Sequence, residues 1–136
     1  MAEYTLTTPT AVAVGSAVPY NNTVVPGCCY IRHRAGSGIV TIKGSGCCKC
    51  PRRYRATFSG NVTGVAGAIQ LGVYLDGELL PETLMSVVPA AATDVLTVNT
   101  STEIPADCDC QRIAVRVITG ATVTVNTAAL IVDREA

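Results

Sequence analysis

A chain of 136 residues with ten basic and ten acidic side chains carries no formal net charge, which removes the electrostatic footprint of a nucleic-acid binder or a membrane-surface protein. It is 49% hydrophobic but only 4% aromatic, with five Tyr, one Phe and no Trp, so its core must be assembled from Val, Ile, Leu and Ala. The length suits one domain, and no apolar run approaches the roughly 18 residues that a membrane-spanning helix needs.

Met1-Ala2-Glu3-Tyr4 lacks the basic and apolar regions of a signal peptide, so folding in a cytosol is expected, where disulfides form less readily. Thr and Val dominate, and branching at Cβ suits a pleated surface. Apolar and polar residues alternate along the chain, with Gly, Pro, Asn and Asp clusters every ten residues or so. In chain order the pattern predicts strands over Tyr4–Thr7, Thr10–Val14, Ala17–Val24, Cys29–Arg34, Gly38–Lys43 and Arg53–Val62. It continues over Ala68–Leu75, Leu84–Val88, Asp94–Ser101, Arg112–Ile118 and Ala121–Arg134, with no amphipathic helix. The fold class is therefore all-β, a sandwich of about eight to ten antiparallel strands in two sheets.

Several turns carry their own chemistry. Arg34-Ala35-Gly36-Ser37-Gly38 and Thr119-Gly120 supply glycines for positive φ, and Leu75-Asp76-Gly77-Glu78 is the signal of a tight hairpin. The last strand is expected to bulge, because its apolar phase switches between Val123, Val125 and Leu130, Ile131, Val132. Val25-Pro26-Gly27-Cys28-Cys29 and Ile104-Pro105-Ala106-Asp107-Cys108 each lead into a strand, a Gly turn and a second strand. Two such units are what a double Greek key produces, and a Thr/Val-rich chain also produces them by coincidence.

Catalytic residues are not evident. The single histidine, His33, lies in Tyr30-Ile31-Arg32-His33-Arg34, where it reads as a surface or subunit-contact residue. Asp76 and Asp94 fall in turns, Asp107 and Asp109 flank cysteines, and Asp133 and Glu135 lie near the C-terminal end. No acid–base pair, phosphate-cradling loop or dinucleotide fingerprint appears, so no enzyme and no cofactor are expected. Lys43, Lys49, Arg52, Arg53 and Arg55 form the one basic stretch and read as a solvated loop and strand edge. Asn21-Asn22-Thr23, Asn61-Val62-Thr63 and Asn99-Thr100-Ser101 match the glycosylation sequon, by chance in a chain so rich in Thr.

The seven cysteines are Cys28, Cys29, Cys47, Cys48, Cys50, Cys108 and Cys110. Their close spacing is wrong for a zinc ribbon, whose ligands stand two to four residues apart. They read as structural thiols, as disulfides formed within or between subunits, or as a metal cluster, in descending order of fit, and no resident metal is expected. The odd count leaves at least one free or paired across chains.

Val25-Pro26-Gly27-Cys28, His33-Arg34-Ala35-Gly36-Ser37-Gly38-Ile39-Val40-Thr41 and Arg53-Tyr54-Arg55-Ala56-Thr57-Phe58-Ser59-Gly60-Asn61-Val62 together resemble small proteins encoded in phages and prophages of Gram-positive gut anaerobes. Leu75-Asp76-Gly77-Glu78-Leu79-Leu80-Pro81, Val88-Pro89-Ala90-Ala91, Ile104-Pro105 and Asn126-Thr127-Ala128-Ala129-Leu130-Ile131-Val132 extend the likeness over nearly the whole chain. Such proteins look like the jelly-roll trimers of the tumour-necrosis-factor and complement globular-head class, and like the tip domain of collagen-like spore-surface proteins. The chain departs from that class in having so few aromatics to seal a three-fold axis.

The resemblance implies a jelly roll that assembles as a homotrimer on a virion surface after folding in the host cytoplasm, as a capsid decoration or head fibre contacting capsid or tail proteins. Residues 1–24 would be an N-terminal strand or docking arm and 25–136 the jelly roll, within one compact unit. Tyr54, Ala56, Phe58, Leu130 and Val132 are the expected subunit contacts. Two alternatives remain open: a receptor- or glycan-binding fibre tip, and a cell- or spore-surface appendage crosslinked through its cysteines.

Overall fold

The computed structural model describes residues 2–26, 31–34, 36–43, 52–63, 68–88, 95–106, 111–119 and 123–134. The alternating segments form twelve strands among these residues: β1 (Ala2–Leu6), β2 (Thr10–Val12), β3 (Asn22–Val25), β4 (Ile31–His33), β5 (Ile39–Ile42), β6 (Arg52–Thr63), β7 (Ile69–Leu75), β8 (Glu78–Leu79), β9 (Met85–Val87), β10 (Leu96–Ala106), β11 (Gln111–Thr119) and β12 (Val123–Arg134). One short 3₁₀ turn covers Pro81–Thr83.

The strands pair antiparallel into two sheets. The first has the order β10-β6-β12-β1-β3, with β2 also on β12; the second has the order β4-β5-β11-β7-β8, with β9 also on β7. Strands neighbouring in the sheets are mostly distant in sequence, as in a jelly roll. Period-two alternation turns one side of the longer strands inward. Tyr4, Phe58 and Leu130 of the first sheet thus meet Ile42, Leu71, Val73, Ile113 and Val115 of the second in one core.

β12 bulges where its pattern changes phase. Its register on β6 shifts between Val125 and Thr127, so the intervening Asn126 is the extra residue. Val123 and Val125 before it, and Ala128, Leu130 and Val132 after it, all remain buried. Without the bulge, one of the two sets would face solvent. The Asp76-Gly77 hairpin between β7 and β8 also forms as expected, with φ of 51° at Asp76 and 86° at Gly77, the positive pair of a type I′ turn.

The separate docking arm over 1–24 does not form. β1 lies in the interior of the first sheet, between β12 and β3, with Ala2, Tyr4 and Leu6 buried. β2 then pairs with β12, and the chain crosses to the second sheet, where Gly15 and Val18 donate backbone N–H groups to Val117 and Val115 on β11. Val18 and Tyr20 enter the core, and the expected strand over Ala17–Val24 shortens to β3. Ala2, Tyr4, Leu6, Val12, Val18 and Tyr20 of this segment are core positions, which is why it cannot hang free.

The five expected subunit contacts are also core. Tyr54, Ala56, Phe58, Leu130 and Val132 are each at most 1% exposed, because the alternation that made them prominent points them at the second sheet. A side chain sealed inside one chain has no surface to offer another. The two echoed units differ as well, since β4 and β5 pair with each other while β11 and β12 belong to opposite sheets. All seven cysteines lie outside the described residues.

Candidate functional site

The second sheet carries a groove of about 350 Å³ on its outer face, and its lining follows from register. On β11, Ile113, Val115 and Val117 face the core, so Arg112, Ala114 and Arg116 face outward. Ala114 forms the floor, paired across the sheet with Ile39 on β5 and Tyr74 on β7, whose larger side chains make the two walls. A small residue between two large ones opens the notch.

The two arginines close its ends. Arg116 lies over the Tyr74 ring with its guanidinium carbon 5.2 Å from the centroid, a cation–π contact that holds the charge in place. Opposite Arg116 stands Gly72, and Leu79 and Ile118 cover the space its missing side chain leaves. At the other end the Asp76–Gly77 turn folds back toward Arg112. Arg112 donates its backbone N–H to Asp76 Oδ1 at 2.9 Å and accepts the Asp76 N–H at its carbonyl, also at 2.9 Å. Among the described residues, neither Arg112 nor Arg116 has a carboxylate within ion-pair distance.

Sequence reading placed Asp76 in its turn but missed the groove. The signal was present in Arg112-Ile113-Ala114-Val115-Arg116: two arginines and an alanine share one face of a strand whose other face carries Ile113, Val115 and Val117 into the core.

The outer face of the first sheet is mostly polar along β10, β6 and β12. Arg55 reaches across to Glu103 at 3.0 Å and to the Ser101 hydroxyl at 3.2 Å, and Thr57 shares a hydrogen bond with Ser101 at 3.2 Å. Further along, Asn61 accepts from the Thr97 hydroxyl at 2.8 Å and donates to the Thr127 hydroxyl at 2.9 Å, while Asn126 donates to Thr63 at 2.7 Å. Short side chains bonded across strands leave few groups projecting.

His33 is half-buried. Its ring packs against Tyr4 at 4.5 Å and edge-on to Tyr20 at 5.8 Å, and Nε2–H donates to the Ser37 carbonyl at 2.7 Å. Burial pushes the Tyr20 phenol well above its ordinary value, and its hydroxyl has no hydrogen-bond partner among the described residues. The arrangement is a polar joint between the N-terminal segment and the β4–β5 hairpin.

The sequence matches no protein-family model and no curated protein. Solved structures are similar over almost the whole chain. The globular domain of zebrafish complement 1qA aligns at a TM-score of 0.69 with 10% identity, covering 96% of this chain and 94% of that one. The Eiger TNF of S. frugiperda aligns at 0.68 with 9% identity, covering 99% and 91%. The PRD1 vertex protein P5 aligns at 0.58 with 12% identity, covering 98% and 94%. The fold is a jelly roll of the TNF and C1q type.

Proposed function

We propose that this chain is a non-enzymatic structural protein that assembles as a homotrimer on a virion surface, as a capsid decoration or head fibre held by capsid or tail proteins. The observation that carries the reading is a TNF/C1q-type jelly roll formed by the chain from end to end, a fold it has in common with the PRD1 vertex protein P5.

The outer face of β10-β6-β12 is the proposed contact surface. Thr57, Ser59 and Ala129 are small enough for a neighbouring backbone to come close, and Thr57, Ser101, Asn61, Thr97 and Thr127 on this face are already bonded to one another. A formal charge of zero leaves little repulsion between copies. No disulfide is required by this contact, which separates it from the crosslinked appendage.

Light scattering on the purified protein tests the assembly. The expected result is the mass of three 14.1 kDa chains, unchanged by reductant and without stoichiometric metal. A monomer would overturn the trimer, and a polymer that reductant dissolves would favour the appendage. Mass spectrometry of purified particles tests the virion placement: the chain is expected among the particle proteins, and its absence from them would refute that placement.

A further inference from the structure

The groove on the outer face of β5-β11-β7 has no part in the proposed assembly, which uses the opposite sheet. Its construction is that of a binding site. Two arginines, Arg112 and Arg116, are carried by β11 with backbone positions roughly 13 Å apart, the rise of four strand residues. Between them lies the alanine notch, walled by an aliphatic and an aromatic side chain. Arg116 is pre-ordered on Tyr74, so a ligand that uses it loses little side-chain entropy in doing so.

We propose that this groove binds an acidic saccharide, a sugar ring bearing a carboxylate. The charge balance among the described residues sets the sign: two guanidinium groups line the groove with one carboxylate, whose Oδ1 already accepts a backbone N–H. A planar fork of donors suits a carboxylate held by two parallel hydrogen bonds. The volume of about 350 Å³ lies at the small end of ligand pockets, the size of one or two rings rather than a polymer segment.

The walls and the acid distinguish a sugar from a bare anion. Ile39 and Tyr74 offer apolar surface to the C–H face of a ring, while the second oxygen of Asp76 can accept from a ring hydroxyl. An acidic peptide fits less well. Peptides bind sheets by extending an open edge, and β11 has both edges occupied, by β5 and by β7.

Titration of the full-length protein with D-glucuronate, N-acetylneuraminate and, as the neutral counterpart, D-glucose tests the assignment, with ligand-observed NMR as the readout. At least one acidic sugar is expected to bind about tenfold or more tighter than glucose, a difference that vanishes at high salt as the charges are screened. Ala114→Leu, which fills the notch, is expected to abolish binding. Arg116→Gln, an outward-facing change, is expected to weaken it by about tenfold or more at unchanged circular dichroism. Equal binding of glucose and the acidic sugars, no binding of either acid, or full binding by a folded Arg116→Gln protein would overturn the proposal. A glutamate-rich peptide that outcompetes both acids would overturn the saccharide in favour of a peptide. None of these outcomes depends on the trimer, whose failure would show in the mass alone.

Discussion

On the outer face of β10-β6-β12, polar side chains are bonded to their neighbours on the next strand. Arg55 meets Glu103, Thr57 meets Ser101, and Asn61 joins Thr97 to Thr127. On the outer face of β5-β11-β7, side chains of very different size alternate, and two arginines end without carboxylate partners among the described residues. Both faces belong to one sandwich and are built by the same alternation. The difference lies in whether cross-strand neighbours satisfy each other. The first face is matched across its strands, a surface suited to the proposed contact between copies. The second is unmatched and notched, a surface suited to a small ligand.

Neighbouring residues on β6 sharpen the contrast most. Phe58 points into the core and Ser59 points out, one residue apart. Phe58→Ala is expected to cost about 3–5 kcal/mol in urea unfolding, by lost burial and the cavity left behind, with the subunit mass unchanged in native buffer. A loss below about 1 kcal/mol, far short of that range, would contradict its place in the core.

The seam beside the groove gives a smaller effect. A Cβ at Gly38 would stand 2.6 Å from the Ala17 Cβ and 2.8 Å from the Val18 carbonyl, where the N-terminal segment crosses onto the second sheet. Gly38→Ala is expected to destabilise the fold by roughly 1–3 kcal/mol, and to displace the adjacent Ile39 wall enough to weaken ligand binding. Unchanged stability would mean that the crossing is looser than the packing indicates.

The smallest effect is alkaline. The folded Tyr20 phenol has a pKa raised by burial, whereas in the unfolded chain it ionises near pH 10. Stability from this group is complete below about pH 10 and declines as pH rises beyond it, because only the unfolded state then releases the proton. Tyr20→Phe is expected to remove that part of the alkaline decline and to match or exceed the original stability at neutral pH, since the hydroxyl has no described partner. Urea midpoints at pH 8 and pH 11 measure both; an identical alkaline decline in the two proteins would contradict the burial.

Strand identity was legible in the sequence wherever one face was buried, because period two is then enforced by the core. The phase change in the last strand forecast its bulge, and Asp76-Gly77 forecast its turn. Sheet membership was not legible. Nothing in Ala2-Glu3-Tyr4-Thr5-Leu6 says that it inserts between β12 and β3, since that pairing is set by packing over the length of the chain. The same difficulty explains the misplaced contacts. Tyr54, Ala56, Phe58, Leu130 and Val132 stood out for being apolar, and apolar residues on alternate positions mark the inside of a sandwich. The informative surface residues were the ones between them.

The short turn at Pro81–Thr83 was invisible for a different reason. Thr83 accepts the Val73 N–H at 3.0 Å and donates to the Leu80 carbonyl at 2.6 Å, while Leu80 N–H reaches the Val73 carbonyl at 2.9 Å. These bonds serve the one stretch of β7 that lies between its pairings with β8 and β9. A buried hydroxyl standing in for a strand has no periodicity to reveal it.

The most direct test places the same charge on each outer face and reads the mass. Ser59→Glu lies at the centre of the first face and Thr41→Glu beside the groove on the second, opposite Arg112. The account predicts that Ser59→Glu yields a folded single chain by light scattering, while Thr41→Glu retains the three-chain mass. A Ser59→Glu protein that keeps the full mass, or a Thr41→Glu protein that loses it, would contradict the assignment of assembly to one face and ligand to the other.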